Sequence, residues 1–84
     1  MFKKLIENYH AEVALLQGVL SFRTWDEVTG DFMGWRAVDG EVLAVIEAMP
    51  TASDAEVVRA LSDDSTHNLS DETALAIVQA VRLK

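Results

Sequence analysis

The chain has 84 residues, half of them hydrophobic and a quarter charged, with 14 acidic against 7 basic side chains and a net charge of −7. A single domain spanning 1–84 buries only about 60–65% of the surface its unfolded form exposes, so the core is thin, and a homodimer or a docked partner is a natural source of added stability. The absence of cysteine excludes a disulfide framework, a thiolate metal site and a thiol nucleophile, and the acidic balance disfavours direct binding to nucleic acid or anionic lipid.

Met1-Phe2-Lys3-Lys4 resembles the basic start of a signal peptide, but Glu7, Asn8, His10 and Glu12 break any apolar run that follows. The longest apolar stretch, Val13 to Phe22, contains Gln17 and Ser21 and is too short to span a bilayer. A cytoplasmic protein without membrane contact is the expectation.

Phe2, Ile6, Tyr9, Val13, Leu16 and Leu20 recur at steps of three and four, which predicts one long helix from Phe2 to about Phe22. Leu15, Val19 and Phe22 widen its apolar face toward the C-terminal end and are the candidate self-association residues, with Gly18 allowing close approach. Thr24-Trp25-Asp26-Glu27 then has the pattern of a capping box. Trp25, Val28, Phe32 and Trp35 follow on one helical stripe, weakened by Gly30 and Gly34. Core packing is the more natural role for both tryptophans, with an interface anchor the alternative.

Asp39-Gly40 between Ala37-Val38 and Val42-Leu43 is a hairpin signal. Against it, Val42, Val45, Ile46 and Met49 fit a helix from about Glu41 to Met49, closed by Pro50. Ser53 with Glu56 forms a second capping box before Val57, Val58 and Leu61, and that helix should stop near Ser62. Asp63 to Asn68 reads as a polar loop. Ser70 caps a last helix with Asp71 and Glu72 in its first turn, an apolar face of Leu75, Ile77, Val78 and Val81, and Arg82 and Lys84 at its negative end.

The fold class expected is therefore all-α, a compact bundle of four to five helices with a long N-terminal helix. The alternative is α+β with a hairpin around Asp39-Gly40.

No glycine-rich phosphate cradle, His-Glu metal helix or serine elbow is present. An Asp63-x-x-x-His67 pair lacks the glycine and terminal glutamate of a calcium loop. A non-enzymatic protein without cofactor or metal is expected. Acidity is concentrated in residues 24–49, where Arg36 stands against six acids. Asp26 and Glu27 are accounted for as cap residues, which leaves Asp31, Asp39, Glu41 and Glu47 as a candidate recognition surface for a basic protein, with Met33 and Arg36 as exposed contacts.

Asp64-Ser65 resembles the modified pair of acyl carrier proteins, but Thr66-His67-Asn68 stand where those proteins have an apolar residue and a helix. In size, acidity and lack of cysteine the composition is similar to that of colicin immunity proteins and phage-encoded anti-defence inhibitors, including anti-CRISPR proteins. That resemblance implies an inhibitor or adaptor engaging a basic protein surface. A self-assembling structural subunit is the alternative.

Overall fold

The computed structural model describes residues 1–63 and 68–83. It contains five strands, β1 (Phe2–Glu7), β2 (Ala11–Leu16), β3 (Val19–Asp26), β4 (Asp31–Phe32) and β5 (Arg36–Ala37), followed by three helices, α1 (Gly40–Glu47), α2 (Asp54–Asp63) and α3 (Asp71–Leu83). This α+β architecture corrects the expected helical bundle. Neither the long N-terminal helix nor a helix after Thr24 exists, because residues 2–37 form an antiparallel sheet in the order β1-β2-β3-β4, with β5 also on β3.

The apolar residues of the N-terminal half fit both a period of 3.6 and a period of 2, and the turns decide between them. Leu16 pairs with Val19 across Gln17-Gly18, whose φ angles of 52° and 82° are both positive. A two-residue loop with positive φ at both positions matches the right-handed twist of its strands and closes a tight hairpin. Gly18 thus serves a turn and not a helix contact. At the β1–β2 turn the Asn8 side-chain Oδ1 accepts from the amides of His10 and Ala11 at 2.8 and 2.9 Å, a local bond that competes with helix.

Asp26 and not Thr24 organises the next turn. Its Oδ1 accepts from the Val28 amide at 2.9 Å, and its carbonyl from the Gly30 amide at 2.9 Å. The sheet thereby continues into β4 and no capping box forms.

The helix expected from about Glu41 to Met49 is present as α1, and the alternative hairpin at Asp39-Gly40 does not form, since Asp39 is the N-cap position of α1 and its carbonyl accepts from the Leu43 amide at 3.1 Å. The i, i+4 pair Val42 and Ile46 is buried, and that burial outweighs the turn preference of the dipeptide. Ser53 caps α2 as its sequence predicts, with Oγ 3.2 Å from both the Glu56 amide and its carboxylate. Ser70 Oγ accepts from the Thr73 amide at 3.2 Å at the start of α3. The loop assigned to Asp63–Asn68, the Asp64-Ser65 pair and the Asp63–His67 pair fall largely or wholly outside the described residues.

One face of the sheet, carrying Ala11 and Val13 of β2 and Leu20 and Phe22 of β3, packs under the helices with Val42, Ile46, Val57, Leu61, Ile77 and Val78. Each fully buried aliphatic side chain contributes about 1.5–3 kcal/mol relative to exposure. α3 lies against β1, β2 and α2 together, so it is buried on a broader arc than its Leu75, Val78, Val81 stripe implies. Arg82 fastens its C-terminal end: the guanidinium pairs with Asp54 and donates to the carbonyls of Met49 and Ala52 at 3.1 and 2.7 Å. Among the described residues no helix is long and apolar enough to cross a membrane.

Candidate functional site

Successive side chains of a strand point to opposite faces, so the register assigns the second face of the sheet directly. Glu12, Ala14 and Leu16 of β2 lie opposite Arg23, Ser21 and Val19 of β3, while Phe2 and Lys4 of β1 lie opposite Leu16 and Ala14. No buried helix residue meets this face among the described residues, because the helices pack on the side of Val13 and Phe22. It is covered instead by its own long side chains.

These side chains form a continuous row. Phe2 meets Trp35 edge to face at 5.7 Å between ring centroids, and Trp25 meets Phe32 in the same manner at 5.3 Å. The Arg23 guanidinium lies between them, 4.3 Å from the Phe32 centroid and 4.7 Å from that of Trp35. The order along the row is ring, ring, cation, ring, ring. An arginine over an aromatic face is held by the ring quadrupole and by its weak hydration.

Glu12 holds the cation in place. Its carboxylate, in a residue only 5% exposed, accepts from Arg23 Nε at 2.8 Å and lies 2.8 Å from Nη2 and 3.5 Å from Lys4 Nζ. Lys4 in turn donates to Glu7 at 2.7 Å. The hydrogen bond and charge of Glu7, aided by Glu12, raise the Lys4 ammonium above its ordinary value of 10.5. Beneath the row, Ala14 and Ser21 are buried. The ends of the row stay open, with Phe2 55% and Trp25 41% exposed.

Charge is divided between the two layers. The helices carry seven acids against two arginines, whereas the strands carry four acids and four bases. The aromatic face, where Lys4 and Arg23 pair with Glu7 and Glu12, is close to neutral, and the excess of acid lies in the helical layer and in the β3–β4 hairpin.

The residues singled out from the sequence are distributed over β4, β5, α1 and the segments between them. Asp31 is exposed in β4, and Met33 packs its sulfur 3.7 Å from Thr24 Oγ1 on the other face from Trp25. The Arg36 guanidinium sits 4.9 Å from the Phe22 centroid and shares with Asp39 a cleft of about 110 Å³ over Val42 and Ile77. Glu41 and Glu47 are on α1. The self-association set is separated as well: Phe22 is buried in the core, Leu15 packs against it, and Val19 is exposed on the aromatic face. The widened helix face that grouped them does not exist.

Sequence reasoning found the two tryptophans but placed them on a helical stripe, and it missed Phe2, Glu12 and Arg23 as members of a site. The available signal was the period-2 alternation Val19, Ser21, Arg23, Trp25. Among the described residues no group of three or more acidic or imidazole side chains is arranged to hold a metal ion. No protein-family model, no curated protein and no solved structure matches this chain.

Proposed function

We propose that this protein is a non-catalytic protein-binding module, an inhibitor or adaptor, that docks through the helix-free face of its sheet. The observation that carries this reading is the aromatic row with its two open ends. A buried aromatic side chain covers about 150–250 Å², so Phe2 and Trp25, roughly half exposed, each leave on the order of 100 Å² uncovered. At about 25 cal/mol per Å² each ring holds about 2.5 kcal/mol for a partner that covers it.

The face also suits docking electrostatically. Arg23 and Lys4 are already paired with Glu12 and Glu7, so covering them strands no lone charge, the usual penalty of burying ions. The acidic helical layer steers a basic partner toward the molecule, while the rings supply the anchors.

The test places a photo-crosslinking p-benzoylphenylalanine at Val19, exposed on the aromatic face, and as a control at Arg59, exposed on α2. In native cells an adduct to another protein should form from position 19, not from position 59, and should weaken on Trp25→Ala. An adduct from position 59 alone, or from neither position, would refute the assignment of the face.

A further inference from the structure

Exposed apolar side chains lie at both ends of the sheet, Met1, Phe2 and Val19 at the β2–β3 turn and a second group at the end that carries the other two turns. The β1–β2 and β3–β4 turns lie side by side there, because the Trp25 amide donates to the His10 carbonyl at 2.8 Å. The first turn of α3 is tied to the same end by Asn8 Nδ2, which donates to the Glu72 carbonyl at 3.1 Å. Tyr9 and Val28 are each 94% exposed and Met33 57%. Together with Trp25 they make four of the eight large hydrophobic side chains exposed among the described residues. Scattered apolar residues need no explanation, but Tyr9, Trp25 and Val28 at two joined turns, with Met33 on the reverse face of the same hairpin, offer a contact surface at this end.

The charge of this pole selects its occupant. From Thr24 to Trp35 the chain carries Asp26, Glu27 and Asp31 and no lysine or arginine. Asp26 and Asp31 lie directly across the strand pair from one another, an arrangement of like charge that weakens a ladder unless a cation relieves it. The nearest cation, Arg23, is taken up by Glu12 and by the rings of Phe32 and Trp35. No described lysine or arginine pairs with the three acids.

We propose that this pole receives an arginine-bearing basic segment of a partner protein that wraps the edge strand β4, with one guanidinium stacked on the Trp25 ring on one face and its neighbouring charges meeting Glu27 at the turn and Asp26 and Asp31 on the other face. The proposal rests on the protein-binding reading above and names the chemistry of the partner. Arginine is favoured over lysine because the row already alternates rings with a guanidinium, and Trp25 is its terminal, half-open ring. A second guanidinium there repeats the contact that Arg23 makes with Phe32 and Trp35. A planar, weakly hydrated cation loses less on stacking than an ammonium does.

The test uses fluorescein-labelled octa-arginine and octa-lysine peptides, with binding to the full chain read by anisotropy near 0.15 M salt, where the Debye length is about 8 Å and distant charges are screened. Two charge-matched triple variants separate local contact from general field. The first is Asp26→Asn, Glu27→Gln, Asp31→Asn on the hairpin, and the second is Glu41→Gln, Glu47→Gln, Glu56→Gln on the helices. The hairpin triple should weaken octa-arginine about tenfold and the helical triple less than about threefold, the difference expected of contacts within and beyond a Debye length. Trp25→Ala should weaken it about fivefold, within the range of a partly exposed cation–π contact, and octa-lysine should bind more weakly than octa-arginine.

Equal losses from the two triples, or no preference for arginine over lysine, overturn the proposal. If Trp25→Ala does not fold by circular dichroism, Trp25→Leu takes its place, and unchanged binding by that variant overturns the stacking. Concentration-dependent self-association abolished by the Trp25 variant, without octa-arginine discrimination, assigns the pole to a second copy and overturns the proposal also. The Val19 adduct is scored independently, so its persistence with failed discrimination removes only the arginine assignment.

Discussion

Replacing Arg23 with alanine isolates the group on which the aromatic face depends. It leaves Glu12, 5% exposed, without its 2.8 Å partner. Removing one member of a buried ion pair costs about 3–5 kcal/mol. Arg23 is partly exposed and Lys4 remains 3.5 Å from the other carboxylate oxygen, which brings the cost to about 2 kcal/mol, below that range. Loss of contact with the Phe32 and Trp35 rings adds about 1 kcal/mol. The sum, about 3 kcal/mol, is a large part of the roughly 4–13 kcal/mol expected for a domain of this length, and corresponds to a drop in Tm of about 15 °C. Urea unfolding followed by tryptophan fluorescence measures it. The double variant Arg23→Leu, Glu12→Leu removes both charges and should lose less than Arg23→Ala, since replacing a buried pair by apolar groups is often neutral. A cost below about 1 kcal/mol for Arg23→Ala, or single-variant costs that simply add in the double, would refute the buried-pair reasoning.

Arg82→Ala should lower stability by about 1–2 kcal/mol in thermal melts, because it frees the Met49 and Ala52 carbonyls and Asp54 together. Arg82→Lys should recover only part of that loss, since an ammonium cannot reproduce the fork. Gly18→Ala should cost about 1 kcal/mol through backbone strain alone, because φ is +82° while a Cβ there meets nothing within 4 Å. Gln17→Asn, which suits positive φ, should leave stability equal or higher. The raised Lys4 ammonium stabilises the fold fully below the ordinary lysine value of 10.5 and loses that contribution as pH rises through its folded value. Alkaline denaturation should therefore be less steep in Lys4→Met than in the parent chain.

Local chemistry in the sequence determined the helical half. The Ser53 and Ser70 caps and the spacing of Val42 and Ile46 act within one or two turns of chain, and the helices form where those signals lie. Net charge was also legible. The N-terminal half was decided by tertiary structure. β2, Ala-Glu-Val-Ala-Leu-Leu, is covered on both faces, by the helices on one and by the arginine–aromatic row on the other. That burial erases the polar alternation by which a strand is normally read and leaves a pattern that also fits a helix. The candidate site is non-local for the same reason. Phe2, Glu12, Arg23, Phe32 and Trp35 lie on separate strands or at their ends, so no spacing along the chain encodes their contact. Only the strand register brings them onto one face, and only the placement of all three helices on the opposite face leaves that row open.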